Sequence, residues 1–312
     1  MKGTVYKSTG SWYEVKNELG EMLSCRLKGK IRLDETNSTN PIAVGDIVEL
    51  ETDQDDTQIV SVHKRKNYIV RESPKHKHAK HIVASNLDQA FLIVTIASPR
   101  TSSGFIDRFL VVAAAYDVPV VIVFNKLDLL NEKELAKQKE LINIYKKIGY
   151  ETLSISCLDE KDIKKVKTKL KGKTTLLSGH SGVGKSTLLN ALNPNLDLRV
   201  GDISAKHDKG THTTTFAEMI EVDDAKTLII DTPGIKEFGI MGFELEEISA
   251  HFLEMRALVN ECQFNNCMHI DEPKCAVKLA VAKGEIDAGR YDNYVKIVED
   301  YKENYNYWER KK

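Results

Sequence analysis

Residues Gly179-His180-Ser181-Gly182-Val183-Gly184-Lys185-Ser186 match G-x-x-x-x-G-K-[ST] at every fixed position. The run follows a strand-like stretch, 174–178, and opens a helical one, 187–192. In that context the backbone N–H groups of a glycine-rich loop point at phosphate oxygens, and the helix N-terminus adds partial positive charge. Lys185 would reach the β- and γ-phosphates, and the Ser186 hydroxyl would ligate Mg2+. Such a loop constrains the fold, because it belongs at the C-terminal end of a strand in a helix-covered parallel sheet. Alone it specifies only a nucleoside triphosphate.

The surrounding pattern agrees. Runs 89–96 and 118–125 are apolar and of buried-strand length, and 105–116 and 132–148 have helical spacing. Further strands are expected at 151–156, 216–221 and 227–231. Before this repeat, short alternating runs at 4–7, 12–16, 22–26, 46–50 and 58–63 predict a five-stranded barrel. An OB-fold is the common small solution, and an SH3-like barrel fits the same pattern. Beyond Phe243 the chain reads as helical, is interrupted by a cysteine cluster, and ends in a long polar helix at 288–308. Tyr291, Tyr294, Val295, Val298, Tyr301, Tyr305 and Trp308 recur there at helical spacing, as a packing stripe would. The expected organisation is multidomain. An all-β OB-type barrel (1–68) precedes an α/β P-loop domain (69–243) and an α-helical metal-binding domain (244–312).

Two further loops select the base. Asn125-Lys126-Leu127-Asp128 ends an apolar strand, where a ligand-facing loop belongs. The Asp128 carboxylate can accept from guanine N1–H and the 2-amino group together. Adenine would leave that carboxylate unpaired, at a cost of a few kcal/mol. Asn125 would brace the loop and the O6 edge, and the Lys126 stem would cover the ring. Ser156-Cys157 resembles the S-A-K-type loop behind the base, although a solitary Cys157 also reads as a buried thiol. Asp231-Thr232-Pro233-Gly234 is D-x-x-G after a strand. Asp231 would hold Mg2+ through water, and the Gly234 N–H would sense the γ-phosphate. In the interval before it lies Lys209-Gly210-Thr211-His212-Thr213-Thr214-Thr215, where a switch I loop belongs, so one of Thr213 or Thr214 would ligate Mg2+.

The order of these motifs is unusual. Ras-like GTPases run phosphate loop, switch I, D-x-x-G, N-K-x-D, S-A-K, whereas here the last two come first. The chain therefore reads as a circularly permuted GTPase, tolerable because domain termini lie at the surface. The residue after D-x-x-G is Ile235, which cannot orient water as the Ras glutamine does. Slow intrinsic hydrolysis is expected, with His212 the internal candidate for positioning water; a solvated loop histidine is the plainer reading. Ile235 also admits a scaffolding protein that has lost turnover, against which stand intact Lys185, Ser186 and Asp231.

Cys262-x4-Cys267-x-His269-x5-Cys275 supplies three thiolates and an imidazole, a complete tetrahedral set for a structural zinc ion. Three unconnected buried cysteines are the alternative. The remaining two of the five cysteines, Cys25 and Cys157, make no disulfide framework. Forty-five basic against 46 acidic residues exclude a uniformly basic coat protein and an acidic disordered tail. The balance hides two basic stretches. In 63–81, seven Lys and Arg face only Glu72, which reads as a solvated linker or a phosphate-contacting strip. The second is the lysine-rich helix at 161–173. The N-terminus lacks the apolar core of a signal peptide, and no apolar run approaches a membrane span, so a soluble cytoplasmic protein with no membrane partner is expected.

With NKLD before GHSGVGKST, then KGTHTTT, DTPGI and C-x4-C-x-H-x5-C, the whole chain resembles the bacterial ribosome small subunit-dependent GTPase A family. The resemblance implies an OB-fold, a permuted GTPase domain and a zinc-containing helical domain. It implies GTP hydrolysis stimulated by the 30S subunit during late maturation, with 16S rRNA as partner and the factor acting as a monomer. It assigns guanine binding to Asn125, Lys126, Leu127 and Asp128, with Ser156 and Cys157 behind them. It assigns phosphate binding to Gly179, His180, Ser181, Gly182, Val183, Gly184, Lys185, Ser186 and Thr187, zinc to Cys262, Cys267, His269 and Cys275, and the catalytic histidine to His212. A permuted GTPase acting on the large subunit or on another RNA is the alternative, and the paired barrel and zinc module argue against it only through this resemblance.

Overall fold

Gln89–Val94 and Val120–Phe124 are buried at every position, as strands covered on both faces must be. The computed structural model describes residues 1–29, 38, 40–53, 56–72, 80–198, 217–223, 226–232 and 244–309, with backbone only for Glu72 and 304–309. Its strands are β1 (Lys2–Ser8), β2 (Tyr13–Asn17), β3 (Met22–Leu27), β4 (Ile47–Asp53), β5 (Asp56–Val62), β6 (Tyr68–Glu72), β7 (Lys80–Ser85), β8 (Gln89–Val94), β9 (Val120–Phe124), β10 (Glu151–Ser154), β11 (Thr174–Ser178), β12 (Glu218–Asp223) and β13 (Thr227–Asp231). The helices are α1 (Ser103–Ala115), α2 (Glu132–Ile148), α3 (Glu160–Leu170), α4 (Lys185–Leu192), α5 (Leu253–Arg256), α6 (Ala276–Ala282) and α7 (Ala288–Glu309).

Strands β1 to β5 run in the order β1-β2-β3-β5-β4, and β4 returns to pair with β1. The β3–β5 pair is parallel and the other neighbours are antiparallel. This is the closed five-stranded barrel of an OB-fold. Val5, Tyr13, Val15, Cys25, Ile42, Val48, Leu50 and Ile59 fill it, which places Cys25 in an apolar core. Outside, the Arg26 guanidinium lies 3.8 Å from the centre of the exposed Trp12 ring.

The barrel is welded to the next domain. Strand β1 also pairs antiparallel with β12 at Lys7 and Glu218, so one sheet of eleven strands runs through both. Tyr6 Oη donates to Glu221 at 2.7 Å. Beneath, Asp46 is fully buried and accepts from Arg65 Nη2 at 2.6 Å, from Ser85 Oγ at 2.6 Å and from the Ala43 N–H at 2.8 Å. Gly45, at φ +93°, presses so close that a Cβ there would sit 2.2 Å from the Ser85 carbonyl oxygen.

Sequence pattern missed the β6–β7 hairpin. Ile69, Val70, Ile82, Val83 and Ala84 join the α/β core, so the basic stretch at 63–81 is no free linker. Arg65 pairs with Asp46 and Lys66 with Asp88. Arg71 and Lys80 are half-buried, which lowers the pKa of each. Lys75 and Lys77 lie outside the described residues.

The nucleotide-domain sheet has the order β10-β9-β8-β11-β13-β12, parallel except for β12. Helices α1 and α2 cover one face through Phe109, Leu110 and Tyr145. Helices α3 and α4 cover the other through Ile163, Val166, Leu170, Leu188 and Leu189. Helix α7 and the 3-10 segment Leu245–His251 pack on α1, and Phe252, Met255, Tyr294, Ile297 and Val298 share one apolar cluster with Val111. Buried Arg290 joins the modules by pairing with Asp107 of α1 and with Glu254 at 2.7 Å. Tyr145 Oη donates to Asp107 at 2.8 Å. The side chains of Tyr305 and Trp308, from the expected α7 stripe, lie outside the described residues.

Candidate functional site

Strand β11 delivers the chain to Gly179, where φ is +143° and a Cβ would lie 2.4 Å from the Ile93 carbonyl oxygen. Only glycine turns there. Gly182 and Gly184 also have positive φ, at 80° and 103°. Helix α4 starts at Lys185, two residues earlier than the periodicity predicts. Lys185 Nζ donates to the Gly179 and His180 carbonyls at 2.7 and 2.9 Å, so the loop curls around its own lysine. Burial lowers the Lys185 pKa, and Asp231 opposes that shift. Against the loop, the His180 ring stacks on Phe105 of α1 with centroids 3.8 Å apart.

The base loop leaves β9 at Asn125, which is buried. Its Nδ2 donates to the Val183 carbonyl at 2.8 Å, and its Oδ1 accepts from Cys157 Sγ at 3.1 Å. Three loops distant in sequence are thus tied by one amide. The bracing expected of Asn125 is directed at the phosphate loop. Burial pushes the Cys157 thiol up to about 11, so it remains a hydrogen donor at neutral pH. Lys126 takes φ +66°, and its Nζ donates to the Ser98 carbonyl. Leu127 N–H donates to the Ile155 carbonyl at 3.1 Å, and Asp128 is exposed on the single 3-10 turn Leu127–Leu129. The Ser156 N–H donates to Asp162 Oδ2 at 3.0 Å, and the Ser156 hydroxyl accepts from the Leu158 N–H at 3.2 Å. Phe105, Ser98 and Asp162 carry no motif that sequence reading could have found.

Asp231 ends β13 beside Lys185. Burial raises its carboxyl to about 6, and Lys185 pulls it back down. Its Oδ1 is buried with no hydrogen-bond partner among the described residues. An orphaned carboxylate oxygen beside the phosphate loop, with Ser186 in the first turn of α4, fits Mg2+ bound with a nucleotide. His212, Thr213, Thr214, Gly234 and Ile235 lie outside the described residues.

Cys262, Cys267, His269 and Cys275 converge, with their ligand atoms all within 4.8 Å of one another. His269 Nδ1 lies 3.4 Å from Cys262 Sγ and 3.3 Å from Cys275 Sγ, and those two sulfurs are 3.9 Å apart. Corners of a tetrahedron with 2.3 Å bonds lie about 3.8 Å apart, so the donor set fits zinc. Burial pushes the Cys267 thiol up to about 12, so a thiolate set needs a cation among it. Glu272 folds the loop by accepting from the Met268 and Ile270 N–H groups at 2.7 and 3.0 Å. Two tyrosines of the α7 stripe hold it from below: Tyr291 Oη donates to the His269 carbonyl and Tyr294 Oη to the Met268 carbonyl, each at 2.6 Å.

Fold and site together define a circularly permuted P-loop GTPase. The RsgA GTPase family model matches residues 62–241, and the RsgA N-terminal domain model matches 2–60. The chain belongs to the RsgA GTPase family and is a GTP hydrolase. It is 52% identical over 310 residues to the small ribosomal subunit biogenesis GTPase RsgA of Flavobacterium johnsoniae, covering 98% of this chain and 95% of that one. It is 49% identical over 304 residues to RsgA 2 of Bacteroides thetaiotaomicron, covering 97% and 98%. Among solved structures it resembles YjeQ from Thermotoga maritima, with TM-score 0.76, 38% identity and coverage of 96% and 97%. It also resembles YloQ, described as a circularly permuted GTPase, with TM-score 0.73, 29% identity and coverage of 97% and 95%. No helix among the described residues is long and apolar enough to cross a membrane.

Proposed function

We propose that this chain acts in late maturation of the small ribosomal subunit, hydrolysing GTP when bound to the 30S particle and leaving it afterwards. The observation that carries this reading is the near-full-length identity to relatives named small ribosomal subunit biogenesis GTPases, with barrel, GTPase core and cysteine cluster all present in one chain. In this reading the chain divides into a barrel at 1–68, a GTPase domain at 69–243 and a cysteine-bearing domain at 244–312. The barrel, with its exposed Trp12–Arg26 stack, and the cysteine-bearing module would meet 16S rRNA. The protein acts as a cytoplasmic monomer.

In this reading Asp128 accepts from guanine N1–H and the 2-amino group. Lys126 covers the ring, and Asn125, Ser156 and Cys157 hold the base loop in register. Residues 179–187 cradle the phosphates, with Lys185 on the β- and γ-oxygens and the Gly234 N–H sensing the γ-phosphate. Ser186, Asp231 through water, and Thr213 or Thr214 hold Mg2+, which when bound neutralises charge developing on the phosphates. His212 positions the attacking water in place of the glutamine that Ile235 replaces. Cys262, Cys267, His269 and Cys275 hold a structural zinc ion with no open position.

The test compares GTP hydrolysis by the chain alone, with 30S subunits and with 50S subunits. A slow basal rate, strong stimulation by 30S, and loss of both in Lys185→Ala or Ser186→Ala are expected. Equal stimulation by 50S refutes the small-subunit assignment.

A further inference from the structure

Helix α3 carries a charge pattern that the nucleotide site does not use. Residues 161–173 hold seven lysines and one acid, Asp162. The structure sorts these lysines into two groups. Ile163, Val166 and Leu170 face the core. On one flank Lys165 pairs with Asp162 at 2.8 Å, and Lys169 pairs with Glu151 of β10. On the other flank Lys161, Lys164, Lys167 and Lys171 are exposed and make no ion pair among the described residues. At 3.6 residues per turn those four occupy a strip about 120° wide and about 15 Å long. Glu160, at the start of the helix, is the one acid of α3 on that side, and it pairs with none of them.

We infer that the Lys161–Lys164–Lys167–Lys171 flank of α3 is a contact surface for the phosphate backbone of a folded RNA. The inference rests on the small-subunit reading and adds a face distinct from the barrel and the cysteine module. Measured along the axis of a duplex, the strip has the length of about four phosphates of one strand. It presents point charges with no aromatic or apolar side chain, which suits sequence-independent backbone contact better than readout of bases. Lasting attachment of a helix to a membrane surface draws on buried apolar area as well as charge, and the apolar face of α3 is spent on the core. An acidic protein would be gripped with little of the counterion release that marks a polyphosphate.

The test measures binding of the full chain to purified 30S subunits with a non-hydrolysable GTP analogue, across a series of salt concentrations. Three proteins are compared: wild type, the quadruple variant Lys161→Gln, Lys164→Gln, Lys167→Gln, Lys171→Gln, and the control pair Lys165→Gln, Lys169→Gln. GDP affinity and basal hydrolysis should be unchanged in both variants. The quadruple variant should bind at least tenfold more weakly at low salt. Its slope of log K against log salt should fall by about 3, at about 0.7–0.9 per lost phosphate contact. The control pair should stay near wild type. A quadruple variant with wild-type affinity and slope overturns the inference, as does weaker binding with an unchanged slope, which would mark a protein contact. A wild-type chain that does not bind 30S at all refutes the functional reading itself.

Discussion

Asn125 and Gly184 are fitted to each other: a Cβ on residue 184 would lie 2.3 Å from Asn125 Nδ2. That nitrogen is already committed to the Val183 carbonyl at 2.8 Å. An alanine at 184 would also have to adopt φ +103°. Gly184→Ala is therefore expected to push the base loop off the phosphate loop. GDP affinity should fall on the order of 100-fold, from about 2–3 kcal/mol of strain and lost hydrogen bonding. Calorimetric titration with GDP checks this, and wild-type affinity would show that the tie is dispensable.

Asp128→Asn exchanges an acceptor for an amide that can donate. Guanine then meets a donor where it presents donors, while xanthine gains a partner for its 2-oxo group. GTP affinity should drop about 100-fold or more and xanthosine triphosphate should become the better ligand, as expected where buried polar groups dictate specificity. Competition with a fluorescent GDP measures the exchange. Unaltered preference for GTP would remove Asp128 from the base pocket.

Asp231 gives the nucleotide-free protein a pH signature. Burial holds its carboxyl at about 6 against an ordinary 3.8, so the folded state binds the proton more tightly than the unfolded chain does. Its ionisation penalty is absent below about pH 4 and complete above about pH 6, so stability from this group is lost as pH rises through that window. Asp231→Asn should stabilise the nucleotide-free GTPase domain by about 2–3 kcal/mol at pH 8 and by much less at pH 4.5. Urea unfolding at the two pH values decides it. The same variant should lose Mg2+-dependent hydrolysis.

Arg290→Met leaves Asp107 and Glu254 without their cation, with Asp107 fully buried. Breaking a buried pair from one side costs about 3–5 kcal/mol. The docking of α7 and of Leu245–His251 on α1 should loosen, seen as faster hydrogen exchange in those segments. Adding Asp107→Asn should recover part of the loss. Unchanged exchange would mean that apolar packing alone holds the interface.

Freshly purified chain should contain about one zinc ion per molecule by mass spectrometry, as expected of a closed Cys3His site. Chelation or Cys275→Ser should release the loop that Tyr291 and Tyr294 hold, raising proteolysis between α5 and α6 while GDP binding persists. Metal-free protein with the same proteolytic pattern would refute a structural zinc site.

Elements whose pattern is enforced by burial on both faces were legible in the chain. The runs at 89–96 and 118–125 became β8 and β9, and the permuted motif order follows directly from their neighbours. The β6–β7 hairpin was hidden because its apolar runs, at 68–70 and 82–84, are only three residues long and are flanked by Arg71, Lys80 and His81, so charge masked a strand pair whose partner face is the α/β core. Cys157 was legible as a loop residue but not as a donor to Asn125, because that contact joins loops 32 positions apart. Arg290 had no local signal either, since its partners Asp107 and Glu254 are 183 and 36 residues away.

The seating of Gly45 and Asp46 against Ser85 has a mechanical corollary. With β1 of the barrel also pairing to β12 of the nucleotide domain, and a buried carboxylate locked beneath, the barrel is held to that domain at two separate places. A surface that captures the barrel thereby fixes the bearing of the nucleotide pocket, as a keyed plug fixes the orientation of its socket. In the proposed reading, docking of the barrel would also align partner groups that accelerate hydrolysis on the γ-phosphate, and a malformed docking surface would present them to empty space.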